Sequence, residues 1–375
     1  MHLAIVSLLP PVVSGIADYG KYLSEAFSEL SKFEQISIIT QVEAEPDILD
    51  NKLPHVRVFR VWNNNLMGGW HVINTLHKLN PDVVWFNLAA SMFGISRSAN
   101  IIGALILLFG GILKTRSVVT LHEVLPAIDN NLVKKKNSIL LPFITKKICK
   151  AKVICLLLNH HVMLLRAICN EANLVCIPHG IYLKPEKIAE PAKQAILFFG
   201  TISPYKGIEF LITSFREVIE KNPELSLIIA GGEHPRFHGY LKHLKNVYSN
   251  TSGIVWKGYV PDCELISLFS SSTLTVFPYI YSTGASGAIF WASTFGRPLV
   301  VSDIPELRAS CDEIGLMANY FKVNDIQGLT LSINNLLADS DLREKQVQNN
   351  ISVINNYTLQ KTADSYANIF SGIMN

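Results

Sequence analysis

Short runs of Val, Ile and Leu recur along the chain at nearly even spacing. The first, residues 2–9, is apolar with almost no alternation, the pattern of a parallel strand covered on both faces. Pro10 and Pro11 end it. From 16 to 30 the apolar positions Ile16, Tyr19, Leu23, Phe27 and Leu30 then fall at helical spacing. Strand, glycine-containing loop and helix make one βα unit. Further β-like runs at 35–40, 56–61, 83–86, 118–121, 153–157 and 173–177 alternate with helical or loop segments.

The rhythm pauses at Pro178-His179-Gly180 and at a polar stretch over 183–194, read as a linker, and then restarts. Residues 195–199 form a strand ending in Gly200, and 208–219 have helical spacing. Strands follow at 225–230, 254–256, 274–277 and 298–302. Residues 359–373 have helical spacing with no strand after them, as in a closing helix. The expectation is α/β throughout: a domain over 1–185, a second over 190–355, and a helix over 356–375 that packs back on the first.

Length agrees, since 375 residues suit two ordinary α/β domains. Thirty-three basic residues against thirty acidic ones leave a net charge of +3, too balanced for a protein whose main work is gripping nucleic acid. The six cysteines make no C-x-x-C pair, which fits buried thiols in the cytoplasm better than a disulfide framework or zinc. Adjacent His160 and His161 diverge on a helix and read as structural, and no metal is expected. The apolar run 99–113 is shorter than a bilayer span and contains three glycines. The stretch 134–152 interleaves lysines with Ile, Leu and Phe; it reads equally as a surface resting on anionic lipid at the inner membrane face or as an ordinary solvated helix face.

Two loops join a strand to a helix through glycine, where uncapped N–H groups and the helix dipole favour an anion. One runs from Pro10 to Tyr19 through Ser14-Gly15; the other is Gly284-Ala285-Ser286-Gly287-Ala288. Neither is a P-loop or a dinucleotide fingerprint, and Ala288 spoils a nucleophile elbow. Lys206 lies in a loop after the strand 195–199, at the end of the sheet where α/β proteins bind ligands.

Taken in order, these segments resemble the retaining GT-B glycosyltransferases of family 4 over essentially the whole chain. The resemblance rests on the loop 11–19, Thr120-Leu121-His122-Glu123, Ile177-Pro178-His179-Gly180, the segment 199–207, Gly231-Gly232 and the block 282–303. It implies two Rossmann-like domains facing each other across a cleft, and transfer of a sugar from a nucleotide-diphosphate sugar to a glycan or lipid-linked acceptor. Retention of configuration, a role in cell-surface polysaccharide assembly and no need for a metal are implied with it. By the same resemblance His122 and Lys206 are catalytic, with Lys206 on the donor diphosphate and His122 near the anomeric centre. Gly15, Thr283, Gly284, Ala285, Ser286, Gly287 and Arg297 surround the donor, and Ser14, Asp18 and Tyr19 lie on the acceptor side.

There are departures. The family's two glutamates, eight positions apart, fall here on Thr283 and Trp291, and the arginine that partners the lysine has no equivalent. Those losses argue for one other reading, a non-catalytic sugar-nucleotide-binding or partner subunit, and against a second, a sugar-nucleotide epimerase on the same fold, which would need carboxylates for acid and base work.

Overall fold

The computed structural model describes residues 1–44, 54–63, 65–88, 92–93, 100–103, 116–124 and 140–374. Most of the apolar run 99–113 and the 134–139 part of the lysine-rich stretch lie outside the described residues. The chain forms two compact units, Met1–Pro178 with Leu359–Asn375, and His179–Thr358.

In the first unit seven parallel strands lie in the order β3-β2-β1-β4-β5-β6-β7. They are β1 (His2–Val6), β2 (Gln35–Gln41), β3 (Val56–Trp62), β4 (Val83–Leu88), β5 (Ser117–Leu121), β6 (Val153–Leu156) and β7 (Leu174–Cys176). Leu3, Ala4, Ile5 and Val6 of β1 are wholly buried, as an apolar run without alternation requires in a sheet covered on both faces. The helices here are α1 (Gly15–Ser28), α2 (Gly68–Leu79), α3 (Leu140–Ile148) and α4 (Asn159–Ile168). The chain winds outward through β2 and β3 and resumes on the other side of β1 with β4, so the strand order reverses between β1 and β4. The loop after β1 and the end of β4 meet there, at the carboxyl ends of the strands.

The second unit repeats the plan with six parallel strands in the order β10-β9-β8-β11-β12-β13. They are β8 (Ala195–Phe199), β9 (Ser226–Ala230), β10 (Ile254–Gly258), β11 (Leu274–Phe277), β12 (Leu299–Ser302) and β13 (Asn319–Phe321). Its helices are α5 (Ile208–Lys221), α6 (Tyr240–Val247), α7 (Leu265–Ser270), α8 (Gly287–Thr294), α9 (Pro305–Asp312), α10 (Ile326–Ala338) and α11 (Ser340–Ile354). Here the order reverses between β8 and β11.

The last helix, α12 (Leu359–Gly372), belongs to the first unit and packs on α1. Its Tyr366 is wholly buried, and the phenol hydroxyl lies 2.8 Å from Thr120 Oγ1 and 3.1 Å from the Tyr19 hydroxyl. Phe27 and Trp85, with ring centroids 5.4 Å apart, complete the aromatic core beneath it.

The polar stretch read as a linker is held to the second unit. Arg297 donates to the carbonyls of Ile188 (2.7 Å) and Ala189 (3.0 Å), and Arg343 pairs with both carboxylate oxygens of Glu190 at 2.7 and 2.9 Å. The division between units falls ahead of this stretch, at Pro178 and His179.

Candidate functional site

In the second unit the site grows from two backbone contacts that only glycine permits. Gly231, at φ 150°, follows β9 so closely behind Gly200 that a methyl group on it would lie 1.8 Å from the Gly200 carbonyl oxygen. Gly207, at φ 68°, has the same relation to Pro278, with 1.9 Å to its carbonyl oxygen. The Ile202 N–H donates to Gly232 O (2.8 Å) and the Ile280 N–H to Tyr205 O (2.9 Å). Three loops, after β8, β9 and β11, are thereby joined at the carboxyl edge of the sheet.

Lys206 ends the 3-10 turn Pro204–Lys206 in the first of these loops. Its ammonium lies 3.5 Å from the centre of the Tyr279 ring and 5.7 Å from that of Tyr205. Among the described residues no carboxylate pairs with it, and burial pushes its pKa down to about 8. The Lys206 and Arg236 charges, added to burial, also depress His234, whose Nδ1 accepts the Arg236 N–H at 3.1 Å.

Tyr279 is buried beneath the ammonium, and its phenol hydrogen-bonds the Ser286 hydroxyl. Ser286 occupies the N-cap of α8 in extended conformation without capping it through its side chain. The first-turn N–H groups of that helix are thus left uncapped by Ser286, which suits an anion. Thr283, Gly284 and Ala285 form the half-buried loop that leads to Ser286, and Ser282 Oγ donates to Gly284 O at 3.0 Å. A methyl on Gly287 would lie 3.3 Å from His179 Nε2, so this helix start is packed against the buried His179 ring. Trp291 packs with Tyr182 (5.4 Å between ring centroids) and lies nearly parallel to Phe295 (5.8 Å, 9°).

The diphosphate role expected for Arg297 is corrected. Its side chain is 1% exposed and donates through Nη2 to the main chain of 188–189, so the guanidinium fastens the entry to this unit instead of lying open to a ligand.

In the first unit, Ser14 caps α1 by accepting the Ala17 N–H at 3.1 Å, and a methyl on Gly15 would meet nothing within 4 Å. His122, just past β5, is buried with its Nε2 2.6 Å from Asn87 Oδ1. Asn87 Nδ2 donates to Ser7 Oγ (2.9 Å) and to the Ile16 carbonyl (3.0 Å), so its Oδ1 must accept and the proton resides on His122 Nε2. His122 is therefore tied through Asn87 to the loop that opens α1. Asp18 is half-buried in the first turn of that helix. The acceptor role expected for Tyr19 is corrected, because its ring is wholly buried, edge-on to His122 (5.1 Å), with its hydroxyl on Tyr366.

Two residues escaped the sequence reading. Asn87 was signalled by a polar side chain near the end of an apolar strand, and Tyr279 by an aromatic residue directly after the Pro that ends another. Among the described residues no group of His, Cys, Asp and Glu could hold a metal ion, and no helix is long and apolar enough to cross a membrane.

The family model described as Glycosyl transferases group 1 matches residues 193–339, the region that carries Lys206 and the glycine loops. The putative glycosyltransferase YtcC of Bacillus subtilis (strain 168) is 25% identical over 169 residues, which is 42% of this chain and 40% of that protein. The chain thus matches less than half the length of this relative. Among solved structures, the sucrose-phosphate synthase of Thermosynechococcus elongatus superposes with a TM-score of 0.80 at 15% identity, covering 100% of this chain and 99% of that one. Anabaena HepE in complex with UDP-glucose gives 0.76 at 14%, over 99% and 100%. The likeness establishes the GT-B fold.

Proposed function

We propose that the chain is a glycosyltransferase that takes a sugar from a nucleotide-diphosphate sugar and passes it to a glycan or lipid-linked acceptor. The observation that carries this reading is the ammonium of Lys206, which rests on an aromatic face with no carboxylate partner among the described residues, beside two glycine turns and a helix N-terminus. Such a group is built for an anion that arrives with the ligand. The group 1 glycosyltransferase match over 193–339 and the UDP-glucose held by HepE make a nucleotide diphosphate the best candidate. Breaking the glycosyl–phosphate bond builds charge on the leaving diphosphate, which Lys206 and the N–H groups of Gly287 and Ala288 would stabilise without a metal.

On this reading His122, with its proton fixed on Nε2, contacts the transferred sugar, and Gly15 allows substrate to approach the start of α1. Configuration is retained, and the setting is cell-surface polysaccharide assembly. A lipid-linked acceptor would be met at the inner membrane face through the exposed Phe143, with Lys147 5.3 Å from its ring and Lys146 and Lys150 exposed nearby. Co-sedimentation with vesicles should then rise with anionic lipid content; independence from it removes the membrane contact.

A thermal-shift series with UDP, GDP, ADP and their sugar conjugates tests the donor site, because a ligand bound only by the folded state stabilises it. One nucleotide series should raise the melting temperature, and Lys206→Ala should abolish the rise. Product analysis then separates transfer from its rivals: a new glycoside means a transferase, an altered donor sugar an epimerase. The substitutions at Thr283 and Trp291 favour a non-catalytic binding subunit only if the donor binds and returns unchanged with every acceptor.

A further inference from the structure

A lysine drawn partly out of water needs compensation, and a carboxylate would supply it only by cancelling the charge the site requires. We propose that Tyr279 is the positioning residue for Lys206, its ring face holding the ammonium charged and uncancelled for an anionic ligand. This rests on the reading of Lys206 as the cation for the donor diphosphate.

The geometry is specific. Nζ lies 3.5 Å from the ring centre, well inside the roughly 6 Å reach of a cation–π contact. The ring is 1% exposed and fixed at both ends: its phenol bonds Ser286, and it meets Phe277 edge-on at 6.0 Å and 88°. A methyl on Gly200 would come within 3.5 Å of its hydroxyl, so the turn after β8 closes over that end. The lysine's own loop is docked on the same strand end, through the Gly207 contact with Pro278 O and the Ile280 N–H to Tyr205 O bond. Cation and ring thus come from two loops that cannot slide past each other. Tyr205 and His234 also lie near the ammonium, with Arg236 beside the histidine, and among the described residues no carboxylate pairs with it.

Burial already lowers Lys206 to about 8, and the ring opposes that shift by favouring the charged form. Loss of the ring should lower Lys206 further, by about half to one and a half pH units. A residue that merely filled space would not move this value.

The test is isothermal titration of UDP-glucose, GDP-mannose and ADP-glucose, with the sugar nucleotide that binds followed from about pH 6.5 to 9.5. These diesters have no phosphate titrating near neutrality. Affinity for the wild type should fall above about pH 8 as the ammonium loses its proton. Tyr279→Phe keeps the ring and should keep that break; Tyr279→Met should move it downward and weaken binding about threefold to thirtyfold at pH 8. A series of increasingly fluorinated phenylalanines at 279 drains the ring face at nearly constant volume. It should move the break stepwise, and it answers the question if the Met variant fails to fold.

An unmoved break in the Met and fluorinated variants overturns the role of Tyr279 and leaves the donor site standing. Lys206→Ala that binds with the wild-type pH profile, or no binding of any sugar nucleotide, overturns the donor site and this inference together.

Discussion

At the scale of the residue, the site depends on side chains whose protons and partners are fixed before any ligand arrives. Asn87 is the clearest case in the first unit, since its two Nδ2 donations leave only Oδ1 to face His122. Replacement by Ala would free the imidazole and leave its N–H without its acceptor in a buried position. If His122 faces the transferred sugar, Asn87→Ala should slow turnover on the order of tenfold to a hundredfold, as small misplacements of a reacting group do. The thermal shift induced by the free nucleotide should be retained, because the nucleotide contacts proposed here lie in 179–358 apart from Gly15. Steady-state turnover measured beside the thermal shift checks this, and equal loss of both would place His122 in donor binding instead.

Elements carry those residues into place, and they differ in how plainly the sequence announced them. All seven strands of the first sheet overlap expected runs: inner strands such as β1 and β6 because a parallel strand buried on both faces is written as uninterrupted apolar residues, and edge strand β3 despite Arg57 and Arg60. In the second sheet β13 was invisible: Asn319–Phe321 begins with Asn and is half-buried at its first two positions, so no apolar run marks it. The candidate site was legible where backbone geometry demands a residue type, as at Gly200, Gly207 and Gly231. It was illegible where one cation must be told from another. Lys206 and Arg297 both lie on loops beside strands, yet one rests on Tyr279 and the other is spent on carbonyls of 188–189. Tyr19 misled for a related reason, since its place on the first glycine loop's helix says nothing of the Tyr366 that meets it from the far end of the chain.

Two substitutions test the element-level account. Gly231→Ala would set a methyl 1.8 Å from Gly200 O at φ 150°, so the loops after β8 and β9 must part. A loss of at least about 2 kcal/mol in stability is expected, together with loss of the nucleotide-induced shift. Tyr366→Ala would empty the socket between Thr120, Tyr19 and Trp85, at about 3–5 kcal/mol. Urea unfolding monitored for each unit should assign the first loss to the second unit and the second loss to the first.

At the scale of the whole molecule, both units keep a histidine neutral in the core. His161 is wholly buried with no hydrogen bond to either ring nitrogen, and burial pushes it down to about 4. His179 reaches about 4 for the same reason, opposed only by its bond to Gly180 O. An unfolded histidine titrates near 6.5, so below that pH the unfolded chain binds more protons than the native one. The stability these groups permit is complete above pH 6.5 and is lost as pH falls from there towards 4, by up to about 3 kcal/mol for each. Both units should therefore weaken with acid in parallel. Urea midpoints at pH 7.5, 6 and 5 should decline in both transitions. His161→Leu should flatten the decline in the first unit alone, because it removes the group that must take up a proton on unfolding. An unchanged slope in that variant would mean that other groups govern the acid response.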